Sequence, residues 1–122
     1  MSKLLSKYRF VAHQSQGGRC IYCGVVMWTT DCPAFANRHG ITLRLARWLQ
    51  CTAEHLHPRQ DGGDDSPGNI AAACRFCNFR RHARRGKAPR VEEYRSLVRK
   101  RVLRRAWHPV QVFSRGLIQL KP

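Results

Sequence analysis

The sequence predicts an α+β domain stapled by one metal, with a basic helix toward its C-terminal end. Three observations carry this. Two Cys-x-x-Cys pairs, Cys20–Cys23 and Cys74–Cys77, form a four-thiolate set. Short segments at 41–45 and 50–57 read as strands ahead of an alanine-rich run that favours helix. Beyond Pro89, apolar residues recur at helical spacing among closely spaced arginines.

At 122 residues the chain has enough material for one modest core and not for two. Lys and Arg number 23 against 7 Asp and Glu, a formal charge of +16. Four zinc-bound thiolates would lower this by about two units, counting the ion's own charge. The balance stays basic, and a polyanion is the expected partner. The first ten residues hold no apolar core of a secretory signal, and no apolar run is long enough to span a membrane. A reducing, cytoplasmic setting is therefore expected, where paired Cys-x-x-Cys motifs read as metal sites rather than disulfides. Cys32 and Cys51 fall outside the pairs and read as buried small hydrophobes.

The chain divides into a basic N-terminal arm (1–19), a core (20–88) with an insert at 24–50, and a basic C-terminal helix and tail (89–122). Gly17 and Gly18 mark a turn, and residues 20–24 read as a knuckle that aims two sulfurs at one point. Residues 33–39 suit a short helix, with Asp31 near its start and Gly40 after its end. Residues 41–45 alternate as a strand does, although 45–49 also suit a helix. A strand is expected over 50–57, a loop over 61–68, and a helix from 69 to about 85, broken by residues 86–89. The last helix carries Val91, Tyr94, Val98, Val102 and Ala106 on one stripe and ends at His108-Pro109. Residues 110–120 read as a short strand or a docked tail.

The four cysteines suit one tetrahedral zinc, and a four-sulfur site has no open position, so this metal is expected to be structural. A second constellation lacks thiols. Glu54, His55, Asn69, Asn78 and His82 are hard or borderline ligands and proton carriers, suited to phosphodiester cleavage with one divalent ion. Arg80, Arg81, Arg84, Arg85, Arg95, Arg99, Arg101, Arg104 and Arg105 are the expected phosphate contacts. Between Arg75 and Arg105 there are 13 basic residues, opposed only by Glu92 and Glu93.

Taken with the Gly62-Gly63 turn, the order Glu54-His55, Asn69, Cys74-x-x-Cys77-Asn78 resembles the HNH endonuclease family. The resemblance spans about residues 20–82 and implies a ββα-metal (His-Me finger) core that cuts DNA, double-stranded by expectation, with Mg²⁺ or another divalent ion. It implies His55 as general base; His57, two residues on and on the same strand face, is the runner-up. It implies Glu54 and Asn78 as metal ligands, and Asn69 as a brace for the loop and the His55 backbone. His82, one helical turn past Asn78, is included because colicin-type relatives have a metal-binding histidine there. Two departures stand out. Asn78 replaces the last histidine of the family name, and Glu54 stands where Asp is commoner. Neighbours in a regular strand face opposite ways, so Glu54 and His55 share a site only if the strand bends or ends there. The alternative reading is a zinc-stapled nucleic-acid-binding module with an inactive site. A purely structural or adaptor protein leaves the basic helix and the Glu-His pair without a purpose.

Overall fold

A two-stranded antiparallel sheet lies at the centre, with the first helix of the chain and the helix that follows the second strand both packed against it. The computed structural model describes residues 2–83 and 86–120. The strands are β1 (Cys51–His55) and β2 (Ile70–Cys74), registered from Cys51 opposite Cys74 to His55 opposite Ile70. The Leu56 amide, donating to Asn69 O, carries the ladder one step further.

Residues 3–15, read as a basic arm, form α1 (Lys3–Ser15), started by Ser2, whose hydroxyl accepts from Leu5 N. This helix packs across both strands, burying Leu5 and Ala12. Gln16, at its C-terminal end, works as a stand-in strand. Its side chain donates to Ala72 O at 2.8 Å and accepts from Ala72 N at 3.0 Å, so the outer edge of β2 is satisfied by an amide rather than by water. The knuckle then turns through Cys20 to Gly24, and the Ile21 amide adds a second bond to Ala72 O.

The insert holds two helices, α2 (Cys32–His39) and α3 (Leu43–Trp48). Asp31 caps α2 by accepting from Ala34 N, and Gly40, at φ 65°, closes it in the left-handed conformation that glycine tolerates. The strand expected over 41–45 is instead the start of α3. Thr42 accepts from Leu45 N, and that cap outweighs a five-residue alternation. Leu45, Ala46 and Leu49 enter the core. The Trp28 indole donates to Ala46 O at 2.6 Å within the insert, and Trp28 O accepts from Cys51 N at 2.9 Å, fastening the insert to β1.

The helix expected from residue 69 is also corrected. Residues 70–74 are β2, and only from Arg75 does α4 (Arg75–His82) begin. Alanine's helix preference amounts to under about 1 kcal/mol per residue and yields to tertiary context. All five β2 residues are buried, and small side chains let α1 lie close against them. Cys74 is the switch point: its backbone is extended and its sulfur caps α4 by accepting from Cys77 N.

After Pro89, α5 (Val91–Leu103) buries Tyr94, Val98 and Val102, as its stripe predicts. It ends at Leu103 rather than at His108-Pro109, so Ala106 lies beyond it and exposed. Residues 110–120 are no strand: α6 (Val110–Ser114) leads to a docked segment in which Leu117 O accepts from Val26 N. Cys51 is buried, which pushes its thiol up to about 11, whereas Cys32 is only half-buried at the start of α2. No helix among the described residues is long and apolar enough to cross a membrane.

Replacing Gln16 with leucine removes both bonds to Ala72 while keeping the side chain's size. It is expected to lower unfolding stability by about 1–3 kcal/mol, measured by urea titration, and to speed hydrogen exchange at the Ala72 amide.

Candidate active site

Two centres are built on the junction between β2 and α4. The first is the cysteine quartet. Cys20 and Cys23 come from the knuckle, Cys74 from the end of β2, and Cys77 from the first turn of α4. Their sulfurs lie within 4.8 Å of one another, and Cys23 and Cys74 are 3.8 Å apart. The edge of a tetrahedron with Zn–S bonds of ~2.3 Å is also about 3.8 Å, so the donor set and its size fit zinc. Burial opposes ionisation of all four thiols, yet Cys20 is held well below the ordinary thiol range because Cys23, Cys74 and Cys77 donate to it. Burial and that shared donation push Cys23, Cys74 and Cys77 up. A thiophilic cation at the centre would allow the other three to ionise too.

Two side chains that sequence reasoning missed complete this centre. The Trp107 indole donates to Cys77 Sγ at 3.3 Å, and His108 Nε2 lies 3.3 Å from Cys23 Sγ. His108 is turned in by a left-handed backbone (φ 68°), and burial pulls its imidazole down to about 4. Nothing in the local pattern distinguishes these two from a helix-terminating Trp-His-Pro.

The second centre surrounds Glu54, which is 1% exposed. Its Oε2 accepts from the Tyr22 hydroxyl at 2.7 Å and from Arg81 at 3.2 Å, and its Oε1 accepts from His82 Nε2 at 2.9 Å. Burial, then the neighbouring carboxylate, pushes the Tyr22 phenol far up, so it stays a donor. Arg81 corrects the expectation for that residue. It too is 1% exposed, and its guanidinium also donates to His55 O, Leu56 O and Pro89 O. A side chain so enclosed cannot reach a phosphate; it staples the end of β1 to α4 and to the segment before α5.

Ala53, Glu54, His55, Pro58, Arg59, Gln60, Asn78 and His82 line one open cleft of about 290 Å³. Glu54 and His55 share it because β1 ends at His55, which removes the conflict between alternating strand faces. The Asn78 amide nitrogen donates to Thr52 Oγ1 at 3.0 Å and to Ala53 O at 3.2 Å, which turns its carbonyl oxygen into the atom that could serve as a ligand. His57 is exposed and outside this lining.

The loop supplies a partner for His55 that was not foreseen. Asp65 Oδ1 lies 2.6 Å from His55 Nε2, and Arg59 forks onto the same carboxylate through Nε and Nη2. The His55 hydrogen bond first, then Arg59, holds the Asp65 carboxyl below its ordinary range. Arg59 Nε also lies 3.2 Å from His55 Nε2, but Arg59 has Asp65 to donate to and an ionised carboxylate only accepts, so in the neutral ring Nε2 carries the proton and Nδ1 the lone pair. Asp61, Asp64 and Asp65 share one loop, and the sequence does not say which of them reaches the histidine. Asn69 grips the backbone at His57, not at His55: its Oδ1 accepts from His57 N and its Nδ2 donates to His57 O and Asp64 O. Gly63 has a different necessity. A Cβ there would lie 1.8 Å from His57 O, so only glycine lets the loop fold back on the strand end.

Among the expected phosphate contacts, Arg80, Arg95, Arg99, Arg101, Arg104 and Arg105 are exposed. Arg84 and Arg85 lie outside the described residues. Arg95 and Arg99 border a separate groove of about 620 Å³ beside the knuckle, together with Arg19.

The HNH endonuclease family model matches residues 40–84. The match covers α3, β1, the loop, β2 and α4, and leaves Cys20 and Cys23 outside it. No curated protein and no solved structure matches the chain.

Arg81→Ala leaves the buried Glu54 carboxylate without its cation and is expected to cost about 3–5 kcal/mol, read by urea unfolding. The Asp65 tether follows pH in a defined sense. Its carboxyl is lowered in the folded state, so its contribution is present above the ordinary carboxylate pKa and is lost as pH falls through the lowered one. The His55–Asp65 contact, followed by NMR, is therefore expected to persist through mildly acidic pH.

Proposed function

We propose that this chain, whose residues 40–84 form an HNH endonuclease core, hydrolyses DNA phosphodiester bonds in the cleft between the end of β1 and α4. The observation that carries this reading is the convergence of His55, Asn78, His82 and Glu54 on that one cleft.

His55 is the general base. Asp65 holds Nε2–H, so Nδ1 takes the proton from a water that attacks phosphorus in line. Asn78 Oδ1, His82 and Glu54 are the residues that would hold a divalent ion such as Mg²⁺. His82 Nε2 and Glu54 Oε1 are 2.9 Å apart, close to the roughly 3 Å between adjacent ligands with bonds of ~2.1 Å. For ligation, His82 moves its ring proton to Nδ1 and frees Nε2. When bound, the ion neutralises charge on the phosphate and on the leaving 3′ oxygen. Zinc in the cysteine quartet is structural. The exposed arginines hold double-stranded DNA by its phosphates without reading sequence.

One observation favours the second reading, a nucleic-acid-binding module with an inactive centre. The Glu54 carboxylate is already engaged by Tyr22, Arg81 and His82, as a purely structural carboxylate would be.

Nicking of supercoiled plasmid, compared with Mg²⁺, Mn²⁺ and Zn²⁺, separates the two. His55→Ala is expected to slow cleavage by about 10²–10⁴-fold while zinc content and DNA affinity stay unchanged. His57→Ala is expected to cut at nearly the parental rate. No cleavage with any ion would leave the binding module as the answer. A loss confined to His57→Ala would move the base by two residues. Charge reversal at Arg95, Arg99 and Arg101 is expected to weaken binding evenly across sequences and to flatten its salt dependence.

A further inference from the structure

We propose that Phe79 and Trp48 form a stacking platform for an unpaired nucleobase beside the cleft. The inference rests on the DNA reading above and deepens it: the preferred ligand has a single-stranded stretch. Phe79 follows Asn78 on α4, yet its ring is 60% exposed. Consecutive helix residues are ~1.5 Å apart along the axis and point ~100° apart around it, so Phe79 lies on the α4 face next to the one Asn78 turns to the cleft, outside the lining itself. Trp48, at the end of α3, is half-buried and meets Phe79 at 5.8 Å between centroids and 62° between planes. It also meets Phe76 at 6.0 Å.

Cations interleave these rings. The Arg75 guanidinium lies 5.2 Å from the Trp48 ring, and Arg80 sits 4.2 Å over Phe76. Neither α3 nor α4 carries an acidic residue. An apolar protein partner would have to strip water from both arginines without replacing their anions. A nucleotide meets both demands at once, offering a flat π-face to Phe79 and a phosphate to Arg75 or Arg80. Bases inside a duplex are already stacked on each other and present no free face, so the platform selects an unpaired one.

The test uses the full zinc-loaded chain without added divalent ion, so that binding is read without cleavage. Fluorescence anisotropy compares three labelled probes: a blunt duplex, a single strand of about 12 nucleotides, and an abasic strand of the same length. Phe79→Ala is expected to weaken single-strand binding about tenfold, leaving the duplex and the abasic strand within about twofold, and Phe79→Tyr is expected to retain the parental affinity. Equal losses on all three probes, or no loss on the single strand, overturn the platform. So does a change in sedimentation with single-strand affinity intact, which would assign the face to contact between copies of the chain. Phe79 is a surface residue, and zinc content and circular dichroism verify the fold of each variant. A chain that binds the strand through Phe79 yet never cuts overturns the nuclease reading alone. A chain that cuts while Phe79→Ala binds normally overturns only the platform.

Discussion

The convergence of four sulfurs within 4.8 Å is the constraint on which the rest of this structure depends. Cys74 ends β2 and caps α4, and Cys77 lies in the first turn of that helix. The direction in which α4 leaves the sheet is therefore set where the knuckle sulfurs meet it. Asn78 and His82 ride on α4, so their approach to the end of β1 is set at the same point. A core this small has little other means of holding such a junction, because a short chain buries too little apolar surface to fix it by packing alone. The outer contacts follow the same logic: Trp107 and His108 reach in to the sulfurs from beyond α5 and so dock the C-terminal segment against the centre.

Glu54 and Arg81 form the second anchor, with a different energetic character. Both are buried, and each is costly without the other. Arg81 offsets that cost by also satisfying three backbone carbonyls at points where the regular ladder has stopped. The result is a rigid wall behind an open cleft. On the other side, His55 is held only by exposed side chains, Asp65 and Arg59. A fixed carboxylate stands beside a histidine at the strand end that is tethered by a solvent-exposed loop. On the proposed nuclease reading, such a division would hold metal ligands firmly and still admit a bulky polyanion.

Charge is distributed in keeping with this. Arg95 and Arg99 of α5 border a groove by the knuckle, whereas Arg75 lies over the Trp48 ring and Arg80 over the Phe76 ring. Cationic side chains and ring faces are thus offered at different places, an arrangement that on the proposed reading an extended strand would meet better than a compact anion.

The sequence by itself determined the cysteine quartet, the amphipathic helix beyond Pro89 and the capped helix read at 33–39, and with the family resemblance it brought together Glu54, His55, Asn78 and His82. Each is written in spacing or in a local cap, and short-range geometry acts the same way in any context. Tertiary structure decided the rest. Residues 70–73 became strand because β1 and α1 bury them, against a local helix preference worth only tenths of a kcal/mol per residue. Arg81 looked like its neighbours Arg80 and Arg84 in the sequence. Its burial depended on where Glu54 and the free carbonyls of residues 55, 56 and 89 came to lie, and no local pattern encodes that. The choice of Asp65 over two nearby aspartates was settled in the same way, by a loop that folds back because Gly63 leaves room for His57 O. Local chemistry fixes which groups are available, and only long-range packing fixes which of them meet.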